Sequence, residues 1–260
     1  MAKVKKLSVL LGLREKVEST FKNMSDDMFE KFKNKGGLFR GQRKTFVAFD
    51  GFIDDETKKG YTAVASTVAE QLEWFKTHSA DFFRTVLSIE RTNAYGAVKA
   101  NLIVDGEDWG EYSSLELLRL KSILDSALRK IIGQLPVRNE AVRWFPTTED
   151  FYTGRSILET ELLQGRTKTS VKESYIITDP HYTPDAKTSR PPQVADKTTQ
   201  VETGKYTVQD FSGETSIRER AEMLVKLDTV YKAVVEALEN ANDAEVIESD
   251  LGDKLLNYLF

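Results

Sequence analysis

The chain has 260 residues, of which 40% are hydrophobic and 30% are charged, and its formal net charge is −4. This is enough apolar material for a buried core, and no run approaches the roughly 18–20 apolar residues of a membrane span. Cysteine is absent, which excludes disulfides, thiolate zinc sites and thiol catalysis.

The N-terminus begins with several lysines, but the apolar stretch that follows, Leu7 to Leu13, is short and leads directly into charged residues. A secretory signal would need a longer apolar region and a cleavage site of small residues. We therefore expect a cytoplasmic protein with no membrane partner.

Charges of opposite sign collect at the two ends of the chain. Residues 1–44 hold twelve Lys or Arg against five Asp or Glu, whereas residues 213–260 hold five against eleven. Such ends can attract each other within the fold or between subunits.

Helical spacing of apolar residues predicts helices over 3–21 and about 63–78. A second, short helix is expected between them, over 25–34. Ser25 is the predicted N-cap of the second helix, and Gly36-Gly37 ends it. Residues 35–61 are expected to be irregular.

The apolar runs 82–92 and 97–104 predict two strands, joined as a hairpin by the turn from Asn93 to Gly96. After them, two capping boxes mark helix starts. Ser113 with Glu116 opens a helix over 114–134, and Ser216 with Glu219 opens one over 217–241.

Both capped helices carry more apolar surface than one face of a sheet would cover. An oligomer would bury the excess, and an ordinary thick core would do so equally well. The apolar ending Leu251–Phe260 is expected to be buried.

The sequence pattern of residues 141–212 predicts β-structure, with candidate strands over 156–163, 171–178 and 199–211. Four of the six prolines lie between residues 178 and 192, which favours loops or an arm over central strands. We expect one α+β domain over 1–260, in which antiparallel hairpins and a sheet pack with long amphipathic helices. A protruding β-arm is expected near 165–200.

Motifs for the common enzyme mechanisms are absent. The chain has no phosphate-binding glycine loop and no G-x-S-x-G, and its two histidines are His78 and His181. The densest acidic group, Asp50 to Glu56, does not match a calcium loop and is read as a solvated turn. No cofactor is expected.

Basic residues beside aromatic ones are typical of phosphate recognition. The candidate ligand-binding residues form two such clusters: Arg40, Arg43 and Lys44, and Arg166, Lys168 and Lys172. The alternative is a solvated rim, or pairing with the acidic C-terminal helix.

Several short motifs resemble a family of uncharacterised bacterial and phage-associated proteins of similar length. They are Ala2–Leu7, the block from Leu102 to Pro136, Arg166–Lys168, Lys205–Gly213 and Leu251–Phe260. The resemblance implies a single full-length domain and a role for Arg166 and Lys168 beyond solubility. It implies no activity.

The leading hypothesis is a non-enzymatic, homo-oligomeric accessory protein that binds a small phosphorylated ligand in a basic pocket between subunits. One alternative is a nucleic-acid binder that uses the basic N-terminal segment, which the net negative charge disfavours. A second alternative is a hydrolase with an oxygen-ligand metal site at Asp50, Asp54 and Glu56.

Overall fold

The structure is a computed structural model that describes residues 6–177, 193–242 and 254–256. Contacts divide these residues into two compact units. The helical unit takes its residues from Met1–Gly36, Val68–Asn139 and Glu214–Phe260, and the sheet unit from Gly37–Thr67 and Glu140–Gly213. Helices and antiparallel sheets confirm the α+β class. The single domain over 1–260 stays a prediction.

The helical unit contains long helices and one small hairpin. Its helical segments are α1 (Leu7–Asn34), α2 (Val68–Asn93), α3 (Ser114–Ile123), a π-helical turn (Leu124–Leu128), α4 (Arg129–Gly133) and α5 (Ile217–Ala241). The hairpin consists of β3 (Lys99–Val104) and β4 (Glu107–Ser113). Strands are numbered along the whole chain, and the remaining ones belong to the sheet unit.

The first predicted helix boundary is wrong, because α1 runs without a break through both predicted segments. Ser25 is not an N-cap. Its hydroxyl donates to the carbonyl of Phe21 at 2.8 Å, inside the helix. Phe21, Met28 and Phe32 are buried at helical spacing around it, so packing outweighs the capping preference of serine.

The predicted strand over 82–92 is also wrong, because these residues form the second half of α2. The buried positions on this helix recur every three or four residues, at Phe75, Ser79, Phe82, Val86 and Ile89. Such spacing buries one face of a helix, whereas a strand would bury alternate residues.

The hairpin of the helical unit is β3–β4, not the predicted pair of strands 82–92 and 97–104. Its turn is Asp105-Gly106, and both residues have positive φ, at 50° and 80°. Alternate residues of β3 are buried, and Leu102 belongs to a core cluster with Leu117 of α3 and Val234 of α5.

Both predicted capping boxes are confirmed. The Ser113 hydroxyl accepts from the Glu116 N–H while the Glu116 carboxylate accepts from the Ser113 N–H, and Ser216 and Glu219 repeat this exchange. The two helices begin where these motifs predict, although a π-helical turn interrupts the first.

The sheet unit is an antiparallel sheet with the strand order β2-β1-β8-β6-β5, and β7 also pairs with β8. The strands are β1 (Arg40–Ala48), β2 (Gly60–Thr62), β5 (Trp144–Pro146), β6 (Leu158–Thr160), β7 (Leu163–Ile177) and β8 (Gln193–Ser212). The expectation that 35–61 is irregular is therefore wrong for β1. The predicted strands 171–178 and 199–211 largely coincide with parts of β7 and β8.

A β-bulge at Thr203 separates two parts of the β7–β8 pair. From Gly204 to Ser212, β8 pairs with β1 as well. From Gln193 to Glu202, on the other side of the bulge, its partner among the described residues is β7 alone. Gly204 is required at this point, because a Cβ there would lie 2.4 Å from the Phe46 ring. The paired strands beyond the bulge form a two-stranded ribbon in the region where the arm was predicted.

Part of the predicted C-terminal tail lies outside the described residues. Where it is described, Leu255 and Leu256 are each 55% exposed, so burial is not observed there. None of the helices within the described residues is long and apolar enough to cross a bilayer.

Candidate ligand pocket in the helical unit

A pocket of about 500 Å³ opens in the helical unit. Small-molecule sites usually have volumes of about 300–1,000 Å³ and combine apolar walls with a few polar groups. One wall is a stripe of α1 and the other runs along α3, the π-helical turn and α4, with Phe82 of α2 also contributing.

The α1 wall follows from helical spacing. Its lining residues recur every three or four positions, which places them on one face of the helix. They combine two phenylalanines with charged groups and one hydroxyl: Glu18, Phe21, Lys22, Ser25, Asp26 and Phe29.

The opposite wall has the same periodicity, with Arg119, Ser122, Ile123, Ser126, Ala127, Lys130 and Ile131. The π-helical turn Leu124–Leu128 lies in the middle of this wall. Within it, the Ser126 hydroxyl donates to the Ser122 carbonyl at 2.6 Å. Single π-helical turns inside α-helices are frequent at functional sites.

Stacked aromatic rings form the apolar part of the pocket. Phe21 and Phe82 are stacked with their centroids 3.8 Å apart and an interplanar angle of 4°. Phe83 meets Phe21 edge-on at 5.8 Å. Both stacked rings are buried, so this part of the lining belongs to the core and is held rigidly.

Ion pairs fix the Glu18 end of the pocket. Glu18 accepts from Arg119 and also from Arg14, at 3.2 Å, and Arg14 reaches Glu90 at 3.4 Å. The Nε of Arg119 is buried and has no hydrogen-bond partner among the described residues. A buried donor without an acceptor is unusual in a folded protein and calls for a partner.

Two lysines line the pocket without forming an ion pair among the described residues, Lys22 on α1 and Lys130 on α4. Asp26 is the remaining acidic residue of the lining besides Glu18. With Glu18 paired to arginines, the lining has an excess of positive charge.

The chemistry of the pocket lining indicates the kind of molecule that would fit it. The lining contains no histidine, and no group of three His, Asp or Glu that could hold a metal occurs within the described ranges. Aromatic rings beside ammonium groups favour a molecule with an apolar body and a negatively charged group.

The six residues predicted to bind a ligand all lie in the sheet unit, on two faces of its sheet. Arg43 faces the same side as Gln209, to which it donates at 2.6 Å, and as Phe211, whose ring lies 5.9 Å from the guanidinium. Since alternate residues face opposite sides, Arg40 and Lys44 lie on the other face.

Arg43 is half-buried and participates in the structure of the sheet unit. In addition to Gln209, it donates to Glu149 at 2.6 Å. Gln209 in turn donates to the carbonyl of Thr160 at 3.2 Å. Arg43 therefore links β1 and β8 to the segment that holds Glu149.

The other predicted cluster, Arg166, Lys168 and Lys172, lies on β7. Arg166 donates to Glu202 of β8 at 2.7 Å, and both side chains remain substantially exposed. Lys168 and Lys172 are exposed and form no ion pair among the described residues. They share a face of the ribbon with Arg166, because the positions differ by even numbers.

Carboxylates of the acidic turn, Asp50 to Glu56, form ion pairs with lysine from the same segment of the chain. Lys59 contacts the carboxylates of Asp54 and Glu56, and these contacts raise the pKa of Lys59. Hydrogen bonds from Thr57 lower the pKa of Asp55. His78, predicted at a helix end, lies within α2 with Nδ1 2.7 Å from the Trp74 carbonyl, and His181 lies outside the described residues.

The pocket residues Lys22, Arg119 and Lys130 were missed by the sequence analysis. Their signal is weak, because single basic residues on amphipathic helices are usually solvated. The π-helical turn leaves no recognisable pattern either, and the two walls are about 100 residues apart in the chain. Only the packed helices bring them together.

No curated protein and no solved structure matches the chain. A family model matches residues 4–260, and its description is a family of unknown function, DUF7873. The chain belongs to this family, which confirms the expected kinship with uncharacterised proteins over almost the full length.

Proposed function

We propose that this protein is a non-enzymatic binding protein whose helical unit holds a small amphipathic anion. The observation that carries the proposal is the pocket of about 500 Å³, in which phenylalanine rings lie beside Lys22 and Lys130, two lysines without an ion pair among the described residues. An aromatic or aliphatic body would pack on Phe21 and Phe29, and a phosphate or carboxylate would sit near the lysines.

Arg119 supports the same interpretation. Arg119 lines the pocket, so a ligand anion can accept hydrogen bonds from its guanidinium. Charge-assisted hydrogen bonds of this kind are stronger than neutral ones and fix the orientation of a ligand. Glu18 would hold the rest of the guanidinium in place.

The test uses 8-anilinonaphthalene-1-sulfonate, a fluorescent aromatic anion, as the probe for the full-length protein. We expect saturable binding at one site per chain. The double substitution Lys22→Gln and Lys130→Gln should weaken binding about tenfold, which corresponds to about 1.4 kcal/mol. Ala127→Trp, which adds an indole to the pocket lining, should abolish binding.

Matched controls separate the pocket from general stickiness. Lys16→Gln with Lys232→Gln removes two exposed lysines that do not line the pocket and should leave the affinity unchanged. Uncharged N-phenyl-1-naphthylamine should bind more weakly and should not respond to the lysine substitutions. Equal binding of the sulfonate by the Lys22/Lys130 variant, or by Ala127→Trp, would contradict the proposal.

Displacement of the bound dye distinguishes the natural head group. Alkyl and aryl phosphates should compete at lower concentration than the matching carboxylates if the ligand is phosphorylated, and the order should reverse for a carboxylate ligand. Neutral alcohols of the same size should not displace the dye.

Self-association, the cytoplasmic location and the bacterial and phage association remain part of the proposal. Exposed apolar side chains on the two capped helices support self-association: Leu115 and Leu118 near the start of α3, and Ile217 and Val225 on α5. Native mass spectrometry tests it, and a monomer at micromolar concentration would contradict it.

A further inference from the structure

The lining of the helical pocket divides into an apolar floor and two polar rims. On each wall the more buried residues are spaced four positions apart, so they form a row along one side of the helix. We call the two rows together the groove floor: Phe21, Ser25 and Phe29 on α1, and Ile123, Ala127 and Ile131 on the opposite wall. The rims beside the floor are exposed and polar, and they carry Lys22 on one side and Lys130 on the other.

The pocket is elongated along the helices. At one end the Glu18 carboxylate accepts from Arg119, and α4, at the other end of the second wall, contacts α1. The two walls therefore run side by side in the same direction. From Glu18 to Phe29 the lining extends over about 16 Å, at 1.5 Å per residue of helix.

The groove floor offers a ligand no free hydrogen-bond donor. Ser25 is its polar side chain, and its hydroxyl already donates to the Phe21 carbonyl at 2.8 Å, inside the same helix. A ligand body rich in hydroxyl or amide groups would lose its hydrogen bonds to water on this floor and gain few in return. The part of the ligand that lies on the floor is therefore hydrocarbon.

The cations of the pocket lie around the floor rather than on it. Lys22 and Lys130 lie on opposite rims, and Arg119 lies at the Glu18 end. Glu18 is engaged by Arg119, which leaves Asp26 as the acidic side chain of the lining set against two lysines. The charge around the floor therefore complements one anionic group at the edge of an apolar molecule.

The volume of the pocket favours a narrow molecule over a peptide helix. An α-helix with its side chains is about 10–12 Å across, so a helical segment of the same length would occupy roughly 1,200 Å³ or more. The pocket has about 500 Å³. A molecule as long as the floor but much thinner than a helix fits this space better.

We propose that the ligand is a single unbranched aliphatic chain with one anionic head group, and that the chain lies lengthwise on the groove floor. This inference rests on the proposed function, because it specifies the ligand of the same pocket. An extended chain contacts both rows of the floor along their whole length, whereas a compact ring system covers only part of it.

The test is isothermal titration calorimetry of the full-length protein with straight-chain fatty acids from octanoate to tetradecanoate, each below its micelle-forming concentration. Burial of each added methylene should tighten binding about three- to fourfold, and the gain should stop once the chain reaches the end of the floor. The branched isomer 2-propylpentanoate has the same atoms as octanoate but a shorter main chain. It should bind about tenfold more weakly than octanoate.

Substitutions separate the head group from the chain. Lys22→Gln with Lys130→Gln should weaken the binding of every fatty acid by the same factor, so the gain per methylene should not change. Ala127→Leu adds a branched side chain in the middle of the floor and should end the gain at a shorter chain length. The matched control Ala69→Leu adds the same side chain at an exposed position of α2 outside the pocket and should leave the whole series unchanged.

Equal affinities for octanoate and its branched isomer, or no gain with chain length, would overturn this inference. If the sulfonate dye still bound as expected, the proposed function would stand without it. A gain that ends at the same chain length in Ala127→Leu and in the wild type would place the chain outside the groove floor and would also overturn the inference. Absence of binding of both the fatty acids and the dye would contradict the two proposals together.

Discussion

The two units of this protein present basic residues in different ways. In the helical unit, Lys22 and Lys130 stand at the walls of a concave pocket beside phenylalanine rings. In the sheet unit, Lys168 and Lys172 are exposed on strand β7, and the carboxylates of Glu202 and Asp196 lie on the same face of the strand pair. The difference teaches that the surroundings of a cation decide its use: cations beside apolar walls suit a small enclosed anion, whereas cations beside carboxylates on an exposed strand pair are offset by them.

Apolar residues also differ between the buried pocket wall and the exposed ribbon. Replacing a buried one has the largest expected effect on the free energy of unfolding. Phe82, stacked on Phe21 and buried, forms both core and pocket lining. Phe82→Ala should therefore lower the free energy of unfolding by about 3–5 kcal/mol. Tyr175→Ala, on the exposed ribbon, should change it by no more than about 0.5 kcal/mol.

Urea unfolding followed by far-UV circular dichroism measures both variants. A small loss for Phe82→Ala would mean that the aromatic stack is not part of the core, and the pocket would lose its rigid wall. A large loss for Tyr175→Ala would show that the ribbon is packed rather than free.

The parts of the fold that the sequence predicted are those with local signals. Each capping box consists of a few neighbouring residues that mark a helix start. The helices over 114–134 and 217–241 could therefore be found without tertiary information. The predicted arm near 165–200 rested on clustered prolines and on flanking strand-like runs. These signals also act over short distances.

The errors arise where distant partners decide the structure. Residues 82–92 are rich in aromatic and branched side chains, which also favour strands, and only packing in the core selects the helix. Strand β1 begins with Arg40-Gly-Gln-Arg, a polar run that predicts no strand by itself. It becomes a strand because it pairs with β8. Within this pair the Gln42 amide donates to the Asp210 carboxylate at 2.7 Å, although 168 positions of the chain separate the two residues.

The same limit applies to the candidate sites. The sequence found the basic residues of β7, because they are close together in the chain, but it could not show which face each one occupies. It could not find the pocket, because Lys22 and Lys130 lie on helices that meet only in the folded unit.

Within the sheet unit, Arg43 and Lys168 contrast a structural cation with a free one. Replacing Arg43 removes its hydrogen bonds to both Glu149 and Gln209. Arg43→Gln should therefore destabilise the protein by about 1–2 kcal/mol, since hydrogen bonds to charged groups contribute most. Lys168→Gln should have an effect within about 0.5 kcal/mol, because its ammonium group has no partner among the described residues.

Chemical denaturation at low and high salt distinguishes the two variants further. The loss for Arg43→Gln should persist at high salt, since half-buried pairs are screened weakly. If Lys168→Gln were as destabilising as Arg43→Gln, Lys168 would take part in the structure of the sheet unit, and the contrast with Arg43 would fail.

The smallest expected effect concerns a cap of the helical unit. Glu219 accepts from the Ser216 N–H at 2.7 Å, and this bond lowers the pKa of Glu219 below its ordinary value of 4.5. A carboxylate whose pKa is depressed in the folded state stabilises the protein at pH values above its unfolded pKa. That stabilisation is lost as the pH falls through the folded pKa.

We therefore expect Glu219→Gln to cost about 0.5–1 kcal/mol at about pH 7, as for other helix caps, and to cost less at about pH 3. Glu236→Gln, on the exposed side of the same helix, is the matched control and should show no such pH dependence. A cost for Glu219→Gln that is equal at both pH values would mean that the ionised carboxylate does not hold the helix start. The cap would then act through the Ser216 hydroxyl alone, because the carboxylate would add nothing that an amide cannot supply.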